Sequence, residues 1–399
     1  MPFDFTTMLD RTNRDAIAVE SIPIPGAKIL PGYSRLPMWI ADMNFIGAPS
    51  ITAALEDRIT TPAYGYFDPR KEYYDSILNW HRTRNGITSI TEDDIGYQNG
   101  VLGGMISAVR ALVSPGGKVL LHTPTYIGFT GALERNGYKI VHSPLKRDAR
   151  GIWRMDFEDM DRKLKEEKIH LTVFCSPHNP AGRVWERWEL EQAMEVFDRN
   201  DCYVICDEIW SDLIVGEKKH IPFFSINDTA RRRTVTLYAP SKTFNLAGLI
   251  GSYHVIPDPW LKDRVMAESS LSGYNSMNVL SMYALIGAYS QEGAQWLDEL
   301  LTVLRTNIDL ACDVIERKFE GVTLMKPEGT YMLYLDCSGW LEAHQKTIQE
   351  LALAGASYGV IWANGTAFNV PNTIRMNLAL PTAYVQEAFD RLDRLVFNA

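Results

Sequence analysis

Three residues of complementary chemistry each stand just after an apolar run of β type. Asn179 lies in Ser176-Pro177-His178-Asn179-Pro180-Ala181-Gly182, directly after HLTVFC. Asp207 opens Asp207-Glu208-Ile209-Trp210 after CYVIC, and Lys242 lies in Ala239-Pro240-Ser241-Lys242-Thr243 after TVTLY. Each alone is ordinary: an Asp after a strand caps a helix, S-K-T is a loop, S-P-x-N-P is a turn. Together they bring an amide, a carboxylate and an amine to one edge of one sheet. An amine that forms an imine, a carboxylate that keeps a pyridine nitrogen protonated and a donor to a phenolic oxygen are what pyridoxal 5′-phosphate (PLP) asks of its protein. The pattern implies a PLP-dependent enzyme with the cofactor held as a Schiff base on Lys242. A PLP-binding regulatory or scaffold module is a competing reading, but it leaves the Lys–Asp–Asn set without a task.

The elements that must position these residues alternate along the middle of the chain. Strand-like runs are 118–122 (KVLLH), 138–142 (YKIVH), 170–175 (HLTVFC), 202–206 (CYVIC), 234–238 (TVTLY) and 252–256 (SYHVI). Helical stretches such as 127–136 and 188–200 separate them. Strands apolar on both faces and spaced by helices predict a parallel sheet covered on both sides, with its ligand at the carboxyl ends of the strands. The charge-dense stretch 156–168 (DFEDMDRKLKEEK) reads as a solvated amphipathic helix. Beyond 281 the character changes: helical patterns over 281–319, a strand-like YMLYLD, a helix near 347–358 and a terminal helix from Ala383. The Pro- and Gly-rich stretch to about Phe45 reads as an extended arm. The expected division is an arm with part of a small domain (1–48), a large cofactor domain (49–285) and a small α+β domain (286–399).

The net charge of −9 argues against nucleic-acid or anionic-membrane partners. No apolar run is long enough to span a bilayer, and the N-terminus lacks the pattern of a secretion signal. The five cysteines are odd in number and scattered; Cys175, Cys202 and Cys206 sit in apolar runs, where a thiol behaves as a small hydrophobe. A metal site at Cys202 and Cys206 has no supporting histidine or second pair, so no metal is expected. The expected compartment is the cytoplasm.

Nearly the whole chain resembles the fold-type I PLP enzymes of the aminotransferase class I/II group, and within them the cystathionine β-lyase (C–S lyase) subfamily of the MalY/PatB type. The resemblance rests on Pro37-Met38-Trp39-Ile40-Ala41-Asp42-Met43, Tyr64-Gly65-Tyr66 and the three motifs above, extended to Ser211-Asp212 and Phe244-Asn245. It implies an aspartate aminotransferase-like α/β fold with a mostly parallel seven-stranded sheet. It implies a homodimer with the active site at the subunit interface and β-elimination from L-cystathionine or another S-substituted L-cysteine; transamination is the alternative. By position, Lys242 would carry PLP and act as base, Asp207 would pair with the ring nitrogen, Asn179 would bind the ring oxygen and Tyr126 would stack on the ring. Val101, Leu102 and Ser241 would hold the phosphate, with Tyr64 reaching it from the neighbouring subunit, and Arg375 would clamp the substrate carboxylate. The competing readings are a core aromatic for Tyr126, a surface ion pair for Arg375 and a turn-shaping role for His178. Three departures bear on substrate: Trp210 replaces the usual His or Tyr beside the ring oxygen, Asn44 replaces an Asp expected near the mouth of the site, and the stretch before Arg375 is spelled differently.

Overall fold

In the computed structural model, which describes residues 2–398 apart from 272 and 274, seven strands form the largest sheet. They are β1 (Ile95–Gln98), β2 (Lys118–Thr123), β3 (Lys139–Pro144), β4 (Leu171–Cys175), β5 (Tyr203–Asp207), β6 (Thr234–Tyr238) and β7 (Ser252–Val255). Their order is β1-β7-β6-β5-β4-β2-β3; β7 runs antiparallel to both neighbours and the other pairs are parallel. The six runs read from the sequence account for β2 to β7. β1 escaped that reading because IGYQ is short and carries a glycine, which weakens any strand signal.

Side-chain alternation explains why helices lie on both faces. Val173, Cys175, Ile205, Val235 and Leu237 pack on one face, with α1 (Val101–Leu112) and α2 (Ile127–Arg135) over them. Phe174, Val204 and Cys206 pack on the other, under α3 (Phe157–Glu166) and α4 (Arg187–Arg199). Because the period is two, Asp207 shares a face with Ile205 and α1. Its neighbour Glu208 turns the other way, where it accepts from the Cys206 thiol at 3.3 Å.

The helical patterns over 281–319 resolve into two helices, Val279–Ala288 and Gln291–Lys318. Ser290 caps the second by accepting from the Gly293 N–H at 3.1 Å. A Cβ at Gly293 would lie 2.0 Å from the Ala288 carbonyl oxygen, so the close junction requires glycine.

A second sheet of four antiparallel strands, β8 (Thr323–Leu324), β9 (Met332–Asp336), β10 (Ala363–Asn364) and β11 (Thr373–Asn377), has the order β8-β9-β11-β10. The N-terminal arm is tied to this part of the molecule: Leu36–Pro37 pairs in parallel with Val360–Ile361. No helix among the described residues is long and apolar enough to cross a membrane.

Candidate active site

The turns after β4, β5 and β6, the N-terminus of α1 and strand β11 border a cavity of about 1070 Å³. Lys242, Asp207, Asn179, Tyr126, Val101, Leu102, Ser241, Trp210 and Arg375 all line it. Of the expected site residues only Tyr64 does not. It sits in the irregular stretch 61–70, is 56% exposed and lies under the Arg58 guanidinium at 5.1 Å.

Three charged groups in this cavity, Lys242, Asp207 and Arg375, are buried without being neutralised. Lys242 Nζ donates to the Ala41 carbonyl at 3.3 Å, and Asp207 Oδ1 accepts from the Ile209 N–H at 3.0 Å. Arg375 donates to Asn179 Oδ1 at 3.1 Å and to the Trp39 carbonyl at 3.3 Å. All these partners are neutral, and none of the three charged groups has an ion pair among the described residues. Burial pushes the Asp207 carboxyl up to about 7. It pulls the Lys242 amine down to about 8, with Arg375 pushing in the same direction. Burial also lowers the Arg375 guanidinium to about 10, and its Nε is buried with no partner among the described residues. A surface ion pair is therefore the wrong description of Arg375.

Such groups call for ligands of opposite charge. An unpaired carboxylate fits a protonated ring nitrogen, and an unpaired guanidinium fits a carboxylate. Gly100, at φ 77°, turns the chain into α1 so that the first backbone N–H groups and the helix dipole border the same cavity as Ser241, which suits a phosphate. The residues present thus fit PLP together with an amino acid. Tyr126, the N-cap of α2, lines the cavity and makes an edge contact with Phe129 at 5.3 Å, so its ring is held in place. Trp210 packs edge-on against Tyr331 at 4.8 Å with Lys242 Nζ 5.9 Å from its ring; its indole N–H has no hydrogen bond among the described residues.

The structure moves one expected feature and adds another. Asn44 does not stand at the mouth: it is fully buried, because its N–H donates to the Ala379 carbonyl at 3.0 Å and draws it inward. It acts on the cavity through Arg11, which lines it and donates to Asn44 Oδ1 at 3.0 Å. Arg11 also clasps Asp42 at 2.7 and 2.8 Å, and Asp42 accepts from Asn245 at 2.9 Å, three residues past Lys242. This brace was missed. A carboxylate inside the apolar run PMWIADM was its only sequence signal. His178 is buried, lowered to about 3 by burial, and its N–H closes the turn on the Arg183 carbonyl at 2.8 Å.

Comparison with known proteins places these features in context. The model of the family "Aminotransferase class I and II" matches residues 47–392. The cystathionine beta-lyase PatB of Bacillus subtilis is 34% identical over 360 residues, covering 90% of this chain and 91% of that protein. Protein MalY of Escherichia coli is 33% identical over 336 residues, covering 84% of each. The PLP-bound C–S lyase of Staphylococcus hominis superposes with a TM-score of 0.89 at 28% identity, over 99% of both chains.

Proposed function

Because the chain belongs to the aminotransferase class I and II family, we propose that it is a PLP-dependent C–S β-lyase. It converts an S-substituted L-cysteine, with L-cystathionine as one candidate, and water into a thiol, pyruvate and ammonia. The observation that carries this reading is the set of unpaired charges in one cavity: Asp207 for the ring nitrogen, Arg375 for the substrate carboxylate, Lys242 between cofactor and substrate. The names borne by PatB and the Staphylococcus hominis enzyme support elimination at sulfur.

Bound PLP supplies an electron-poor ring that takes up the electron pair left at Cα. Arg375 orients the substrate by its carboxylate in a two-pronged clamp. Lys242 would hold the cofactor through its side-chain amine and, once free, would take the Cα proton; burial lowers the pKa of that amine in the cofactor-free cavity, which favours the neutral form a base needs. Thiolate departs from the β-carbon far more readily than alkoxide would, since a thiol has a pKa of about 8.5. Asp207 would hold the ring-nitrogen proton, Asn179 would bind the ring oxygen, Tyr126 would cover a ring face, and Val101, Leu102 and Ser241 would hold the phosphate.

The exposed Tyr64 is assigned to the phosphate of a second copy of the chain, which makes the working unit a homodimer. The division into 1–48, 49–285 and 286–399 is kept as part of this reading; the pairing of Leu36–Pro37 with Val360–Ile361 supports its grouping of the arm with the small domain. Five buried, free cysteines suit a reducing cytoplasm. The deciding experiment gives PLP-loaded protein L-cystathionine and S-alkyl-L-cysteines without any keto acid, and follows pyruvate and thiol. Catalytic release of both supports the lyase. Turnover that begins only when a keto acid is added makes the protein an aminotransferase instead.

A further inference from the structure

The turn that carries Asn179 is gripped from behind by charges that lie outside the cavity. The side chain of Arg183, at the end of that turn, is wholly buried, with one terminal nitrogen on the Glu189 carboxylate and the other on that of Glu328. Its Nε donates to the Trp153 carbonyl at 2.8 Å. Glu328 belongs to the segment leading into β9, and its carboxylate also accepts from the Val184 N–H at 3.0 Å and pairs with Lys218 at 2.8 Å. The backbones interlock as well. Glu328 and Gly329 N–H groups donate to the Gly182 carbonyl at 2.8 and 3.1 Å, and a Cβ at Gly182 would come within 2.7 Å of Pro327.

From Glu328 the chain runs directly into β9, where Tyr334 stands opposite Arg375 of β11. Arg375 closes the circuit by donating to Asn179 Oδ1 at 3.1 Å. Residues of the two sheets are thus joined in a ring: Asn179, its turn, Arg183, Glu328, β9, Arg375 and back to Asn179. Apolar residues of similar volume can stabilise a core as well as such a buried network does; what buried charges offer here is fixed geometry.

We propose that Arg183 and Glu328 are positioning residues that set the distance between Asn179 and Arg375, and with it the alignment of the substrate carboxylate to the cofactor ring. This rests on the PLP reading of the cavity. It predicts that the Arg183–Glu328 contact governs recognition of the carboxylate and leaves recognition of the amine alone.

The test uses two probes that differ by that carboxylate, L-alanine and ethylamine, titrated into the PLP-loaded protein by visible absorbance. Glu328→Gln is expected to weaken L-alanine by about 10- to 100-fold, the scale of losing one hydrogen bond to a charged group. Ethylamine should stay within about twofold of the parent, because it has no carboxylate for Arg375 to hold. Placed on Arg375→Met, the same substitution should have no further effect on L-alanine, because the clamp acts through Arg375. Glu328→Asp, which keeps the charge, should recover part of the loss; it replaces Glu328→Gln as the deciding variant if the latter does not fold. Equal weakening of both probes, or unchanged L-alanine binding, overturns the proposal. A parent protein that takes up no PLP overturns the reading of the cavity itself, and this inference with it.

Discussion

Two arginines lie buried in this molecule under opposite circumstances. Arg183 has carboxylates on both terminal nitrogens, and around it Arg154 and Lys218 share Glu186, Glu189 and Glu328. Arg154 also approaches Glu189 Oε1 at 2.9 Å, a contact of charge and not an aligned hydrogen bond, since that oxygen has no hydrogen-bond partner among the described residues. Among the described residues Arg375 has only an amide oxygen and a backbone carbonyl. Burial by itself therefore does not mark a binding residue. A charge that the fold has already satisfied serves geometry, whereas a charge left unsatisfied holds a place for something that arrives from outside.

The largest expected effect breaks the cavity side of this contrast. Lys242→Ala should abolish lyase turnover by roughly 10³-fold or more, the scale of a lost acid–base group, while PLP still binds weakly. Retained turnover would remove Lys242 from the mechanism. Next, the two arginines can be compared directly in cofactor-free protein by chemical denaturation. Arg183→Met strands buried carboxylates and should cost about 3–5 kcal/mol, whereas Arg375→Met removes an uncompensated charge and should leave stability unchanged or raise it. Equal losses would collapse the distinction. In holoenzyme, Arg375→Met should raise KM roughly 100-fold for every amino-acid substrate, on the scale of losing a two-pronged charge-assisted contact.

A smaller effect concerns pH. The folded Asp207 carboxyl, raised to about 7 from an ordinary 3.8, keeps a proton in that window which the unfolded chain has already released. Its contribution to the stability of cofactor-free protein is therefore favourable at low pH and falls as pH rises from 3.8 to about 7. Asp207→Asn should flatten that slope in thermal melts across the window, and an identical slope would show that the carboxyl is not held protonated. The smallest change is expected from Tyr64→Phe. Loss of one hydroxyl contact should weaken PLP by about two- to tenfold, provided a second copy of the chain brings Tyr64 to the phosphate. A parent that sediments as a monomer while tightly loaded with PLP would contradict that assignment.

The parallel core and the residues at its carboxyl edge were legible from the sequence for a local reason. A strand buried on both faces writes a continuous apolar run, and the residue that follows it must emerge at the sheet edge, so Asn179, Asp207 and Lys242 could be grouped from spacing alone. Direction and partnership are not local. SYHVI reads as a strand, but only its neighbours make β7 antiparallel, and IGYQ becomes a strand by pairing with it. Likewise nothing in the chain links Arg183 to Glu328, 145 positions away, or Arg11 to Asp42. The types and order of the chemical groups follow from the sequence, because they depend on identity and short periodicities. Which buried charges are satisfied and which wait for a ligand was decided only by the tertiary structure, since compensation depends on long-range contacts that no local pattern encodes.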